Sequence, residues 1–277
     1  MRNNFESIIN QSKIISSFIG PDSLNNIWVN SFFYKIIDAL INKPLNWLRR
    51  LYLKFERVFS ASLFVKIMKI VLNNFSVCIG LFIVLTIIIP DHRWYNAYGV
   101  LLTFALFVLF LIKAIIDGSK VNFEDIEFSI IIFFICIFIS GITSLFPSES
   151  INYLLYYLIS FITVIIIVNS IKTYDDLYKL IKIILIGVML TTLYGVYQWL
   201  VVGIQVNPAQ TDLTINQGMG GRVYSTMGNP NVYGELLVLI IPFFASVILN
   251  EKSIIKKMFW IILLLPVLVI LLKTGSR

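Results

Sequence analysis

The sequence predicts an all-α, polytopic membrane protein with seven transmembrane helices behind an amphipathic, basic N-terminal region. Hydrophobic residues make up 58% of the 277 residues, charged residues only 13%, and the mean hydropathy is +0.87. A soluble domain is closer to half apolar and a quarter charged, so this composition excludes an ordinary soluble protein. The apolar residues form long runs without alternating polarity, which favours spanning helices over the strands of a membrane barrel.

Seven apolar runs approach the roughly 20 residues that a helix needs to cross the hydrocarbon core of a bilayer. They are residues 70–90, 97–116, 128–146, 151–168, 180–202, 232–249 and 254–272. The fourth and sixth runs are the shortest, but they are still within the range for a spanning helix. The predicted transmembrane domain therefore covers residues 70–277, and residues 1–69 form a separate lead-in.

Lysine and arginine residues are distributed asymmetrically across this topology. Of the 22 basic residues, all but Arg93, Arg222, Lys273 and Arg277 fall in the N-terminal region or in and beside the even-numbered loops. The positive-inside rule therefore places that side, including the N-terminus, in the cytoplasm. The net charge of +7 follows from this topology and from an attraction to anionic membrane lipids, so it requires no nucleic-acid partner.

The lead-in contains a predicted amphipathic, basic helix. Apolar residues recur at helical spacing within Leu48–Phe59, whereas Arg49 and Arg50 take the other side. A helix of this kind suits the surface of the cytoplasmic leaflet, and a regulatory or partner-binding role is the alternative. Pro44 is expected in its first turn, where the missing N–H costs little.

The chain offers no pattern for a metal site or a disulfide framework. Cys78 and Cys136 fall within apolar spans and are interpreted as packing residues. His92 is the single histidine and has no ligand partners at a useful spacing. The acidic stretch Asp117–Glu127 lacks the glycine-spaced pattern of a calcium loop, so it is interpreted as a solvated face. We therefore predict no metal and no cofactor.

The fifth span has a distinctive feature at each end. At its start, Thr173 and Asp176 have the spacing of a helix cap, with Thr173 as the capping residue. Near its outer end lies a polar and aromatic cluster of Tyr194, Tyr197, Gln198 and Trp199. An aromatic belt at the membrane interface explains this cluster, and a sugar-stacking platform is the alternative.

The outer loop between the fifth and sixth spans, Gly203–Asn231, holds the polar groups best suited to chemistry. Its glycines, including Gly220 and Gly221, let backbone N–H groups approach an anion closely. Arg222 in the same loop can fork onto phosphate oxygens. These residue types at this spacing are suited to binding a pyrophosphate.

The loop ends in Gly228–Asn231, which has the pattern of a helix start. Asn229 is predicted to cap the sixth span, and Pro230 to occupy its first helical position. The positive end of the helix dipole then points at the loop and favours an anion there. An anion site is one interpretation of these residues, and an ordinary capped loop is the other.

The order of these residues continues beyond the loop. Gly-Arg-Val-Tyr-Ser-Thr-Met-Gly-Asn-Pro-Asn, ending at Asn231, is followed by Tyr233-Gly234-Glu235, an apolar span with Pro242, and Thr274-Gly275-Ser276-Arg277. This order resembles the O-antigen ligase and polymerase family, bacterial polytopic enzymes that handle polyprenyl-pyrophosphate-linked glycans. Their pattern has an arginine, Gly-Asn-Pro-Asn at the head of a span, another span, and a short Thr-x-Ser-Arg. The resemblance covers residues 180–277.

The resemblance implies transfer or polymerisation of a glycan from an undecaprenyl-pyrophosphate carrier onto an acceptor hydroxyl. The reaction would take place at the outer face of the bacterial plasma membrane, with a lipid-linked oligosaccharide as donor and a glycan or lipid-glycan as acceptor. Arg222 and Arg277 would neutralise the leaving pyrophosphate, so no metal or cofactor is implied. Glu235 is either a base for the acceptor hydroxyl or a polar residue of the bundle interior. The substrate-binding loop would comprise Gly220, Gly221, Gly228, Asn229, Pro230 and Asn231.

Members of that family continue past the Thr-x-Ser-Arg segment into further spans and a large outer loop. We therefore expect catalysis to need residues beyond position 277 and the present residues alone to be inactive. A transporter or flippase-like protein and a non-catalytic membrane assembly subunit are the alternative classes. A coupled transporter should carry ionisable residues near mid-membrane, whereas the only acid within the seven spans is Glu235.

Overall fold

The computed structural model describes residues 21–94, 96–124, 126, 128–204 and 220–276, which form helices joined by loops and contain no strand. Its α-helices are α1 (Pro21–Asn30), α2 (Phe32–Lys54), α3 (Glu56–Ala61), α4 (Leu63–Asn73), α5 (Phe75–Ile88), α6 (Asn96–Asp117), α7 (Phe128–Ile142), α8 (Pro147–Ser170), α9 (Tyr174–Tyr197), α10 (Pro230–Asn250) and α11 (Ile254–Thr274). Short 3-10 turns lie at Asp91–Arg93 and Ser225–Met227, and a π-helical turn, Gln198–Val202, extends α9. One compact unit contains the described residues up to Asn73 and those of Thr103–Ser170, and a second contains those of Asn74–Leu102 and from Ile171 onward.

Five helices among the described residues are long and apolar enough to cross a membrane. They are Ala97–Asp117, Pro147–Ser170, Tyr174–Val202, Pro230–Asn250 and Ile254–Thr274. A helix satisfies its backbone hydrogen bonds internally, which is the requirement for crossing lipid. The fold is therefore all-α, with the architecture of a polytopic membrane protein.

Two of the seven predicted spans are not single long helices. The first is broken at Asn74, between α4 and α5, so it crosses only if Val65–Asn73 and Phe75–Ile88 act together as one broken span. The third is α7, whose 15 residues extend about 22 Å, short of the roughly 30 Å of a hydrocarbon core. The chain turns soon after α7 because the Ser144 hydroxyl accepts a hydrogen bond from the Phe146 N–H at 3.1 Å. The count of seven spans is thus not confirmed, since the described residues give five, or six with the broken pair.

In the first unit, α1 and α2 are docked on the loop that follows α6. The Asn42 side chain donates to the Val121 carbonyl and accepts from the Val121 N–H, each at 2.9 Å. The Trp28 indole donates to the Phe123 carbonyl at 3.4 Å. Asn42 and Trp28 are both buried. Because these bonds are made to backbone groups in a dry environment, they hold the helices and the loop as one structure.

The C-terminal end of α6 is capped by Arg49 of α2. The guanidinium Nη1 donates to the carbonyls of Ile115 and Ile116 at 3.0 and 3.2 Å. A cation in this position also complements the negative end of the helix dipole. Gly118 follows with a φ of +68°, and a Cβ there would collide with the guanidinium of Arg49. Only glycine meets both conditions without strain.

A second asparagine fixes the same loop from α8. The Asn169 side chain accepts from the Asn122 N–H at 2.7 Å and donates to the Asn122 carbonyl at 3.0 Å. Further along the loop, Glu124 accepts a hydrogen bond from the Tyr34 hydroxyl at 3.1 Å. Partial burial, together with this carboxylate, raises the pKa of Tyr34 to about 12. The loop is therefore held by α2 on one side and by α8 on the other.

Helix α2 starts earlier than the sequence indicated. The Ser31 hydroxyl accepts from the Tyr34 N–H at 3.0 Å and caps a helix that begins at Phe32. Pro44 consequently lies inside the helix, on an exposed side, and the expectation that it occupies the first turn is wrong. Arg49, expected to face outward, is instead bound to α6.

In the second unit, α9, α10 and α11 enclose an apolar core. Its fully buried residues include Leu185, Val188, Tyr233, Leu237, Phe244, Val247, Val267 and Ile270. Helix α5 approaches α9 closely through two glycines. A Cβ at Gly187 would lie 2.5 Å from Val84 Cγ2, and one at Gly80 would lie 2.8 Å from Ile183 Cγ2. Small residues at such contacts let helix backbones approach, as in other membrane helix pairs.

Helix α9 is fastened to the end of α10 near its own N-terminal end. It begins as predicted, with the Thr173 hydroxyl accepting from the Asp176 N–H at 3.1 Å. Lys182 and the Tyr178 hydroxyl both donate to Oε1 of Glu251, at 2.7 and 3.0 Å. The hydrogen bond from Lys182 holds the pKa of Glu251 below its usual range.

Candidate functional site

The polar segment from Gly220 to Asn229 lies where α9, α10 and α11 end or begin. Gln198, at the start of the π-helical turn, accepts from the N–H groups of Tyr224 and Ser225 at 3.2 and 3.0 Å. The Ser225 hydroxyl donates to the Thr191 carbonyl of α9 at 2.6 Å. The Thr226 hydroxyl donates to a carbonyl of α5 at 2.7 Å. These bonds anchor the segment to two helices and fix its path.

Arg222 is oriented by oxygen atoms from two other parts of the chain. Its Nε donates to the Thr274 carbonyl at 2.5 Å, at the C-terminal end of α11. Its Nη2 donates to Asn231 Oδ1 at 2.6 Å and to the Ser276 hydroxyl at 3.3 Å. The three acceptors are a carbonyl, an amide and a hydroxyl, so all three are neutral. The guanidinium is therefore positioned without its charge being compensated by these partners.

The start of α10 and the segment after α11 are joined directly. The Ser276 hydroxyl donates to the Pro230 carbonyl at 3.1 Å. The Val223 N–H donates to the Lys273 carbonyl at 3.1 Å. A Cβ on Gly234 would lie 2.6 Å from Ser276 Oγ, so glycine at this position permits the contact. Residues 222–234 and residues 273–276, which are far apart in sequence, thus form one polar cluster.

The cluster is electropositive. Within the described residues, the ion pairs are Lys113–Asp117 and Lys182–Glu251, and neither lies at this end of the second unit. Lys273 places its ammonium 4.5 Å from the centre of the Trp199 ring, a cation–π contact that leaves its charge unneutralised. The described part of the chain holds no group of three or more His, Cys, Asp or Glu side chains suited to a metal ion. Arg222 and Lys273 therefore make this end of the unit attractive to an anion.

The N-terminus of α10 is capped as predicted and lies beside a carboxylate. Asn229 Oδ1 accepts from the Asn231 N–H at 2.8 Å, and Pro230 occupies the first turn. Gly228 precedes the cap with a φ of +67°, and a Cβ there would lie 2.6 Å from Asp91 Oδ2. Since a side-chain anion already lies near this helix end, Arg222 is the stronger group for binding an added anion.

The structure brings together most of the residues that the sequence singled out. Arg222 and Asn231 are in direct contact, and Gly228, Asn229 and Pro230 form the adjoining turn. Gly221 packs against the carbonyl of Ile204 too closely for any Cβ, whereas Gly220 is exposed with open space around it. Arg277 lies outside the described residues.

Glu235 is exposed and lies one turn along α10 from Asn231, on the same face of the helix. No hydrogen bond or ion pair joins its carboxylate to another residue in the described part of the chain. It therefore does not belong to the hydrogen-bonded cluster around Arg222, although its position one turn away leaves it near the cluster.

Two further residues of the cluster, Gln198 and Trp199, were predicted from the sequence to belong to an aromatic belt or a sugar-stacking platform. Gln198 was assigned to an aromatic group, but it is buried and binds the Arg222 segment instead. Trp199 contacts Lys273, while Tyr194 and Tyr197 are exposed with stacked rings 6.2 Å apart. The signal that could have identified Gln198 is an amide near the end of an apolar span, because a buried amide requires hydrogen-bond partners.

Comparison with known proteins gives no match, since no protein family, curated protein or solved structure is significantly similar to this chain.

Proposed function

We propose that this protein takes part in surface polysaccharide assembly, in the transfer or polymerisation of a glycan carried on undecaprenyl pyrophosphate. The observation that carries the proposal is the environment of Arg222. Its guanidinium is held by neutral oxygens from Asn231, Thr274 and Ser276. These residues belong to the Gly-Asn-Pro-Asn and Thr-x-Ser-Arg segments that resemble the O-antigen ligases and polymerases. A contact between the two segments supports reading them as one site.

Such a site suits the chemistry of a pyrophosphate leaving group. As the glycosidic bond to the carrier breaks, negative charge grows on the phosphate oxygens, and fixed cations nearby lower the barrier. Arg222 presents a planar donor group, and Lys273 supplies a second positive charge at the same end of the unit. Arg277 is proposed as a further phosphate ligand. Glu235 would accept the proton of the acceptor hydroxyl, which lets the oxygen attack the anomeric carbon.

The proposal includes a topology. The seven apolar segments would place the cluster at the outer face of a bacterial plasma membrane and the N-terminus in the cytoplasm, in keeping with the bias in basic residues. A cysteine replacing Gln210 should react with a membrane-impermeant thiol reagent in intact cells. Labelling that requires permeabilised cells would contradict the outward orientation.

Binding of the carrier tests the site directly. The purified chain in nanodiscs should bind undecaprenyl pyrophosphate, and Arg222→Ala should weaken that binding by at least tenfold, as expected when a charged hydrogen-bonding group is lost. Arg222→Lys retains the charge but not the fork, so it should show an intermediate loss. Arg93→Ala is the matched control, because it removes an exposed arginine from the same predicted side. If Arg222→Ala and Arg93→Ala weaken binding equally, the overall positive charge of this side would explain the binding, and a specific site at Arg222 would be refuted.

Activity is tested in cells. Arg222→Ala introduced into the native gene should abolish the surface glycan while the protein still inserts into the membrane. A normal amount of surface polymer from the inserted mutant protein would refute the assignment.

A further inference from the structure

Helix α2 exposes a face that is both apolar and basic. At helical spacing along this face lie exposed Phe32, Ile36, Leu40, Lys43, Trp47, Arg50 and Lys54. Leu40 is 69% exposed and Trp47 is 60% exposed, so the face presents large apolar side chains as a contiguous patch. An apolar strip with interspersed basic residues matches the interface of a bilayer, where side-chain stems lie in apolar surroundings and charges reach the headgroups.

The opposite face of α2 is the polar one, and the protein itself uses it. Asn42 and Arg49 on that side bind the loop after α6 and the end of α6. Asp38, the only acid in the helix, accepts a hydrogen bond from Asn42 at 2.8 Å. The exposed face therefore carries positive charges without an acidic residue among them. Its charge is complementary to an anionic surface and repels a basic one.

The position of α2 also fits a membrane surface. Arg49 binds the last turn of α6, and Asn169, near the end of α8, binds the loop that Asn42 holds from the other side. Both α6 and α8 are long and apolar enough to span a bilayer. A helix attached at the ends of two spanning helices lies at the level where the hydrocarbon core meets the headgroups.

A cavity of about 610 Å³ lies beside α2 and is lined by apolar side chains. Phe33 and Ile37 of α2 line it, with Phe134 and Phe138 of α7 and Leu158 of α8. Its lining is almost entirely apolar, so water is a poor occupant, whereas an acyl chain fills such a space without desolvation cost.

We propose that α2 is a fixed lipid-binding platform whose exposed face rests on an anionic phospholipid leaflet, with an acyl chain of that leaflet in the flanking cavity. Arg49 and Asn42 set the rotation of the helix, so that Leu40 and Trp47 point into the interface. Lys43, Arg50 and Lys54 contact the anionic headgroups.

The test measures the environment of α2 in the full chain. Cys78 and Cys136 are replaced by serine, and single spin labels are placed at Leu40→Cys, at Trp47→Cys, and at Asn46→Cys as the control. The protein is reconstituted in nanodiscs of phosphatidylcholine alone or mixed with phosphatidylglycerol. Collision rates of each label with oxygen and with a water-soluble nickel chelate then report immersion in lipid or water.

We expect the labels at positions 40 and 47 to collide preferentially with oxygen in phosphatidylglycerol discs, and the label at 46 to collide more with nickel. Each basic residue near an anionic surface shifts the equilibrium about fivefold, so three shift it about a hundredfold. Lys43→Glu/Arg50→Glu/Lys54→Glu should abolish the difference between the two lipid compositions. In 1 M salt the Debye length is only about 3 Å. Raising the salt to about 1 M should therefore weaken the difference between the two lipid compositions in labelled chains that keep Lys43, Arg50 and Lys54.

Three results would overturn the proposal. Labels at 40 and 47 that collide mainly with nickel in both discs would place the face in water. Equal immersion in both lipid compositions, unaffected by salt, would remove the preference for anionic lipid. Spin–spin broadening at positions 40 and 47 would show that a second copy of the chain covers the face instead. The salt series is measured on labelled chains that keep all three basic residues, so a failure of the triple variant to fold does not affect the outcome.

Discussion

Gln198 holds two consecutive backbone N–H groups of the Arg222 segment. It is only 7% exposed, and its Oε1 accepts from the N–H groups of Tyr224 and Ser225 at 3.2 and 3.0 Å. Ser225 has a φ of +51°, the left-handed conformation that non-glycine residues rarely adopt. Replacing Gln198 by alanine removes the acceptor of two N–H groups at this strained point.

The free-energy cost of Gln198→Ala comes from the N–H groups of Tyr224 and Ser225, which lose their acceptor. A buried donor left without a partner costs about 1–3 kcal/mol, so two cost about 2–6 kcal/mol in the closed segment. The left-handed Ser225 adds about 1–3 kcal/mol of strain that the same hydrogen bonds hold in place. At the lower limit of about 2 kcal/mol, opening of the segment becomes roughly 30-fold more favourable.

Hydrogen exchange measured by mass spectrometry on the protein in micelles reports this opening. In Gln198→Ala, peptides covering Tyr224 and Ser225 should exchange at least roughly 30-fold faster, while the core of α10 keeps its protection. Gln198→Glu retains an oxygen acceptor and should show a smaller increase. Tyr197→Ala is the matched control, since it truncates the exposed neighbour of Gln198. Unchanged protection in Gln198→Ala would refute the view that this side chain holds the segment.

Three further predictions concern packing and charge. In an open helix, replacing glycine by alanine stabilises the protein by about 0.5–1 kcal/mol. Gly234→Ala should instead lower the thermal unfolding midpoint, because the added Cβ would lie 2.6 Å from Ser276 Oγ. Gly99→Ala, where the nearest atom is 3.3 Å away, should have a smaller effect on that midpoint. Asn42→Ala should accelerate tryptic cleavage after Lys120 by freeing the loop, whereas Asn46→Ala, which removes an exposed amide of the same helix, should not. Because Lys182 lowers the pKa of Glu251, their contact should stabilise the fold fully above about pH 4.5 and lose its contribution as the pH falls through the lowered pKa. The fall in unfolding temperature on acidification should therefore be smaller in Glu251→Gln, and an identical pH profile would contradict this.

Local features near helix starts were predictable from the sequence. Asn229 at the start of α10 and Thr173 at the start of α9 are confirmed as caps, and Pro230 is confirmed in the first turn of α10. A cap depends on residues within one turn of each other, so its spacing in the sequence is its geometry in space. The long apolar helices were predictable for the same reason, because hydrophobic length is a property of a continuous segment.

Contacts between distant segments were not predictable in this way. Gln198 binds residues about 26 positions away, and Asn42 binds a residue 79 positions away. Nothing in the local sequence specifies such partners, although buried amides always require some. The rotation of α2 was missed for the same reason. An amphipathic pattern shows two faces, but only the loop after α6 determines which face is covered.

The two asparagines that hold the loop after α6 constrain its backbone and leave its exposed side chains unconstrained. Asn42 and Asn169 bind the peptide groups of Val121 and Asn122, so they recognise the backbone path and not the identity of the exposed side chains. The exposed Lys120 is therefore free to vary, while Gly118 is not. A fluorophore attached at position 120 would report on this side of the protein in living cells without disturbing the structure it reports on.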